Sequence, residues 1–129
     1  MKLIRIALAF SFCSVSLLSL SVHATPQQCP SIDAIRQVGL SFVKPMPNSS
    51  AMWNVMQGSN SYGTPENWEF GIILRAKNQD DAFQLAKIGM ATLAAASGPR
   101  SMGENTWMCE YVSTSGDYRG VAFTPSNPW

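Results

Sequence analysis

The stretch NWEFGIILRAK, residues 67–77, decides the fold of this chain. Its apolar residues recur at every second position, a pattern typical of a β-strand with one buried face. The other face is expected to be at least half exposed to solvent. The face predicted to be buried carries Trp68, Phe70, Ile72 and Leu74.

A long helix is predicted to follow this strand. Asn78 is a suitable N-cap. The acidic residues 80–81 would lie in the first turn, where negative charge interacts favourably with the helix dipole. Apolar residues then recur at helical spacing to about Ser97, where Gly98-Pro99 ends the helix. The polar line along this helix is narrow, which predicts a helix lying across a sheet. Residues 100–105 are interpreted as a loop.

Shorter elements complete the predicted domain. A short helix begins at Pro30 or Ser31 and ends at Gly39. Further strands are indicated at residues 40–44, 51–57, 106–113 and 118–124. In the last of these, Val121 and Phe123 are expected on the same side of the sheet as Trp107, Cys109 and Tyr111. The order of elements predicts an α+β domain: an antiparallel sheet of four to five strands, with one long and one short helix packed on one face.

Residues 1–24 have the layout of a secretory signal peptide. Lys2 and Arg5 form a basic n-region, an apolar run follows, and Val22-His23-Ala24 supplies a cleavage motif after Ala24. Five serines interrupt the apolar run, which disfavours the alternative of a transmembrane helix. The sequence therefore predicts export to the periplasm or the cell exterior. Residues 25–129 are predicted to form a single α+β domain with no stable membrane span after cleavage.

Cleavage would leave seven basic and eight acidic residues, because Lys2 and Arg5 depart with the leader. The remaining cations are scattered singly along the sequence. A chain with nearly equal numbers of acidic and basic residues, and with its cations scattered, has no positively charged surface that would attract nucleic acid. Nucleic-acid binding is therefore not expected.

Two cysteines, Cys29 and Cys109, would remain after cleavage, near opposite ends of the domain. In an oxidising compartment a disulfide between them is the expected outcome. The alternative, a reactive thiol, has no partner base in the sequence. A disulfide would require the strand face that carries Trp107, Cys109 and Tyr111 to look towards the first helix.

The only histidine, His23, lies in the predicted leader, so the mature chain would contain none. This removes the commonest general base, zinc ligand and proximal haem ligand. We therefore expect no enzymatic activity, no catalytic residue and no metal site. A carboxylate-dependent hydrolase is the remaining enzymatic alternative, and it would need two acids in a shared cleft, with Glu66 and Glu69, or Glu104 and Glu110, as the candidate pairs.

Methionine and aromatic residues are frequent after the leader. Thioethers and aromatic walls often hold flat apolar ligands, although the same residues also fill irregular small cores. Without histidine, an iron porphyrin could be ligated only by tyrosine or methionine, or held by stacking alone. The candidate ligand contacts are Met52, Trp53, Met56, Tyr62 and Tyr111.

Four segments carry a resemblance to known proteins: residues 1–5 (MKLIR), 29–32 (CPSI), 67–71 (NWEFG) and 107–109 (WMC). In these the chain resembles a group of small exported proteins from intracellular Gram-negative bacteria of the Legionella type, some named haemin-binding proteins. The resemblance implies haemin binding without indicating ligand residues. A small exported binding protein with haem as candidate ligand is thus the first hypothesis. The alternative is a secreted factor or inhibitor that binds another protein through the polar loops 45–50 and 58–65.

Overall fold

One antiparallel sheet and two helices make up the computed structural model, which describes residues 25–26 and 28–126. The predicted α+β class is confirmed, but the described residues form six strands rather than four to five. The strand order across the sheet is β1-β2-β3-β6-β5-β4. The predicted signal peptide lies outside the described residues. In chain order the elements are α1 (Ile32–Val38), β1 (Phe42–Pro45), β2 (Met52–Met56), β3 (Glu69–Arg75), α2 (Gln79–Thr92), β4 (Leu93–Gly103), β5 (Thr106–Ser113) and β6 (Arg119–Thr124).

Strand β3 and the residue before it supply the centre of the core. Trp68, Phe70 and Ile72 are fully buried, and Leu74 is nearly so, as the period-two pattern predicts. Both helices cover this face of the sheet. The buried side chains that they contribute to the same hydrophobic cluster are Ile35 from α1 and Ala82, Ala86 and Met90 from α2.

The two helices are joined at the end of α2. The Asn78 side chain caps the start of α2 by accepting a hydrogen bond from the Asp81 backbone N–H. At the other end, the Arg36 guanidinium of α1 donates to the carbonyls of Met90, Ala91 and Leu93 at 3.0, 3.2 and 2.6 Å. Arg36 thus satisfies carbonyl groups that a helix end leaves without partners.

The prediction that α2 continues to about Ser97 and is followed by a loop is wrong. The helix ends at Thr92, and Leu93–Gly103 form the edge strand β4, which pairs with β5. Leu93 is extended and buried, so the chain leaves the helix where this side chain enters the core. The register of β4 shifts at three places, and an irregular edge strand tolerates the proline at position 99.

Strand β6 faces the opposite way from the prediction. Ala122 pairs with Cys109 and Gly120 pairs with Tyr111, so these two small residues face the helices. The prediction that Val121 and Phe123 share the side of Cys109 is therefore wrong. The reason is space: a Cβ on Gly120 would lie 2.7 Å from the Phe70 ring, so this part of the core has no room for a larger side chain.

The predicted disulfide between Cys29 and Cys109 is confirmed, with the two Cα atoms 5.8 Å apart. It connects the segment before α1 to β5, the second strand from the sheet edge. Tyr111, on the same face of β5, donates a hydrogen bond to the Pro30 carbonyl at 2.6 Å. This face looks towards α1, as the disulfide requires. Within residues 25–26 and 28–126, no helix has the length and apolar character needed to cross a membrane.

Candidate binding site

Two of the five candidate ligand contacts, Tyr62 and Tyr111, lie in the core. The Tyr111 hydroxyl is engaged by the Pro30 carbonyl. The Tyr62 hydroxyl donates to Gln57 Oε1 at 2.5 Å, and Gln57 Nε2 donates to the Ile35 carbonyl at 2.7 Å. The loop that carries Tyr62 is tied to α1 through this buried chain of hydrogen bonds. Both hydroxyl groups thus connect parts of the fold to each other.

Burial raises the pKa of both phenols above the ordinary value for tyrosine. The carboxylate of Glu69 adds to the rise for Tyr62, and Tyr62 itself adds to the rise for Tyr111. A buried neutral phenol whose proton is already donated to an internal acceptor is a poor source of a phenolate ligand. The environment of these tyrosines therefore does not favour iron ligation.

The other three candidates, Met52, Trp53 and Met56, are divided by the alternation of β2. Trp53 pairs with Leu74 on the helix side of the sheet, and its indole Nε1 donates to the Ala76 carbonyl at 3.2 Å. Met52 and Met56 point to the opposite side. The structure thus places Met52 and Met56 on one surface and separates them from the remaining three candidates.

The side of the sheet opposite the helices, called here the uncovered face, has no described helix against it. Its central row of cross-strand neighbours runs from Phe42 in β1 through Met56, Gly71 and Val121 to Glu110 in β5. Three large apolar side chains on this face are exposed: Phe42, Ile73 and Val112, at 52, 36 and 42 %. A contiguous group of exposed apolar side chains is typical of an interaction surface, whereas single ones are common on any protein.

Asn54 lies in β2 between Met52 and Met56 and carries the least satisfied polar atom of this face. Its side chain is buried, with 6 % exposed, and its Oδ1 is the one buried side-chain N or O atom without a hydrogen-bond partner in the described part of the chain. A buried acceptor without a donor costs about 1–3 kcal/mol. Most buried polar groups in native proteins have a partner, so Asn54 Oδ1 is an exception on this face.

Gly71 makes room for the Asn54 side chain. A Cβ at position 71 would lie 2.6 Å from Asn54 Oδ1 and 3.3 Å from Met56 Cγ. The carboxamide therefore lies over the backbone of β3, at the centre of the uncovered face. Neither Asn54 nor Gly71 was among the residues that the sequence indicated. The usable signal was a glycine inside the strongest strand, which often marks close approach of another group.

A second concave surface lies between the helices. This cleft has a volume of about 250 Å³ and is lined by Arg36, Gly39, Leu40, Phe83, Lys87 and Met90. The Arg36 guanidinium is committed to the end of α2, and the Lys87 ammonium lies 5.6 Å from the centre of the Phe83 ring. Its charged groups are thus already engaged by the protein, which makes this cleft the weaker candidate.

In the candidate pair Glu104 and Glu110 the two carboxylates have different surroundings. Glu110 accepts hydrogen bonds from Arg119 at 2.6 Å and from Arg100 at 3.4 Å on the uncovered face. Its proposed partner Glu104 is exposed in the turn between β4 and β5. Among the described residues, no group of three or more His, Cys, Asp or Glu side chains is placed to hold a metal ion.

Comparison with known proteins adds no family to these observations. No protein-family model, curated protein or solved structure matches this chain. The geometry of the uncovered face is therefore the basis for the proposals that follow.

Proposed function

We propose that this protein is an exported, non-enzymatic interaction factor that binds another polypeptide on the uncovered face of its sheet. The single observation that carries the proposal is the exposure of three large apolar side chains, Phe42, Ile73 and Val112, on this one face of the sheet. Burial of the exposed Phe42, Ile73 and Val112 by the partner would supply the hydrophobic part of the binding energy.

Export is part of the same proposal. The Cys29–Cys109 disulfide supports it, because such bonds form and persist in oxidising compartments. The sequence of the leader supports it independently.

Haemin is the second candidate ligand. The shared position of Met52 and Met56 on a face that also carries Lys44 and Arg75 favours it, since thioethers suit the porphyrin and cations suit its propionates. The burial of Met56 weighs against haemin, because this side chain is only 3 % exposed and its thioether is out of reach of a porphyrin on the face. A polypeptide can instead cover the exposed Phe42, Ile73 and Val112.

A pair of matched variants tests the proposal. Val112→Asp places a charge on the uncovered face, whereas Val38→Asp places one on α1, and the two valines are equally exposed at 42 %. Captured envelope or host proteins are identified, purified and rebound to the oxidised mature protein. We expect a purified partner to bind the wild type and Val38→Asp, and to bind Val112→Asp at least about tenfold more weakly. Equal binding by both variants would contradict the proposal.

Haemin titration supplies the competing outcome. A Soret band that differs from the protein-free blank, and that is lost when Met52 and Met56 are replaced by leucine, would establish haemin as the ligand of this face. A spectrum identical to the blank would remove haemin from consideration.

A further inference from the structure

We propose that the polypeptide bound on the uncovered face is a second copy of this chain, in a twofold-symmetric dimer centred on β3. This inference rests on the proposed function and names the partner. It is carried by the order of four side chains along β3, because that order is complementary to its own reverse.

The four residues of β3 that lie on the uncovered face are, in chain order, Glu69, Gly71, Ile73 and Arg75. They alternate with the buried core residues 70, 72 and 74. From one end of the strand to the other, the row is therefore acidic, small, large and basic. Ile73 is 36 % exposed, whereas no side chain projects from the strand at Gly71. The row thus has a high point and a low point side by side, between two opposite charges.

A twofold dimer brings the same patch of both copies together in reverse order. If the axis crosses β3 at Ile72, roughly at right angles to the strand, Arg75 of one copy faces Glu69 of the other, and Ile73 faces Gly71. Each contact then occurs twice. Packed sheets cross at about 30°, which displaces the ends of the row by about 5 Å, within the reach of an arginine side chain. The register is thus compatible with ordinary sheet packing.

The two charges of the row select a copy over other occupants. Arg75 is exposed, and in the part of the chain that the structure describes it takes part in no ion pair. It does not reach Glu69 of its own strand, because six residues of extended chain separate the two by about 20 Å. An anionic lipid surface would attract Arg75 but repel Glu69. A second copy in reverse orientation offers the opposite charge at both ends.

The dimensions of the face set the expected strength of the dimer. The six strands span about 24 Å across the sheet, and Glu69–Arg75 extends over about 20 Å. A patch of this size is smaller than the roughly 800 Å² that each partner buries in a standard interface. We therefore expect a weak dimer with a dissociation constant in the micromolar range.

Sedimentation velocity of the oxidised mature protein tests the inference. Between about 1 and 500 μM, at a salt concentration that limits the Debye length to about 8 Å, we expect the average mass to rise from monomer to dimer. Ile73→Asp should weaken this association at least about tenfold, because it buries a charge at the centre of the interface. Ile88→Asp is the matched control, since Ile88 is an exposed isoleucine on α2. A protein that stays monomeric throughout, or equal effects of the two variants, would overturn the inference.

Reversal of the two charges tests the register. Arg75→Glu and Glu69→Arg should each weaken the dimer about tenfold, because each places like charges opposite one another. The double variant restores opposite charges and should associate within about threefold of the wild type. Lys87→Glu, on α2, should change association less than about twofold. A double variant as weak as the single ones would contradict the proposed register.

The failure of this inference is distinguishable from failure of the proposed function. If the protein stays monomeric, and another purified polypeptide loses affinity with Val112→Asp but not with Val38→Asp, the inference fails while the proposed function stands. A monomer that binds phosphatidylglycerol vesicles through this face, with binding lost in Ile73→Asp, would assign the face to a lipid surface and overturn the inference. A monomer that binds no polypeptide would contradict both.

Discussion

The side-chain oxygen of Asn54 lies 2.6 Å from the position that a Cβ on Gly71 would take. Real side chains do not approach a Cβ this closely, so the asparagine and the glycine are mutually dependent. Because Asn54 is in β2 and Gly71 in β3, this dependence spans two neighbouring strands. It fixes the position of the buried acceptor between the two strands.

Gly71→Ala is expected to destabilise the domain through this contact. The added methyl group displaces the Asn54 carboxamide, and overpacking of this kind costs about 1–3 kcal/mol in the free energy of unfolding. In the Asn54→Ala background the closest remaining atom is Met56 Cγ at 3.3 Å, on a flexible side chain. There the same substitution should be neutral or slightly stabilising, because alanine replaces glycine in a strand. Urea unfolding of the four proteins measures the coupling, and additive effects of the two substitutions would refute it.

Asn54→Leu is expected to raise the stability of the domain. Leucine has a similar branched shape but no polar atom, so the cost of the unsatisfied acceptor disappears and the free energy of unfolding should rise by about 1 kcal/mol. Urea unfolding measures the change. A fall in stability would mean that the Asn54 carboxamide makes a hydrogen bond that stabilises the folded protein.

The alternating pattern of residues 67–77 and the caps of both helices were sufficient to predict the class of fold. They fail at β4, where an alanine-rich segment followed by Gly98-Pro99 has the local signature of a helix end. Pairing with β5 and burial of Leu93 override that local preference. Such pairing depends on residues far away in the chain, and so no local pattern reveals it.

The candidate site was predicted less well for a related reason. The alternation of residues 51–57 places Met52 and Met56 on one strand face and Trp53 on the other, as the structure shows. Composition, however, also selected Tyr62 and Tyr111, which are buried in the core. The facing of β6 depends on the space that Phe70 leaves above Gly120. The interest of Asn54 is that its side-chain oxygen is buried without a hydrogen-bond donor. Both are properties of packing across strands, which a single sequence does not display.

Removal of the Cys29–Cys109 disulfide is expected to lower stability strongly. The bond closes a loop with a sequence separation of 80 residues. The chain-entropy model assigns such a loop about 4.5 kcal/mol. The variant Cys29→Ala/Cys109→Ala should lose about this amount in urea unfolding, and the wild type should lose a comparable amount in dithiothreitol. The double variant is its own control, because its stability should not respond to the reductant. A wild type as stable reduced as oxidised would contradict this prediction.

The buried tyrosines predict a loss of stability at alkaline pH. Burial raises the pKa of Tyr62 and Tyr111 in the folded state, whereas an unfolded phenol titrates near pH 10. As the pH rises past about 10, the unfolded chain releases these protons first. The stabilisation is therefore complete below pH 10 and declines above it, with a limiting slope of about 1.4 kcal/mol per pH unit for each tyrosine. Urea unfolding between pH 8 and about 12 measures the slope. Tyr62→Phe should reduce this slope by the contribution of one tyrosine, about 1.4 kcal/mol per pH unit. If Tyr62→Phe has the same pH dependence as the wild type, the phenol of Tyr62 does not remain neutral in the folded state at alkaline pH.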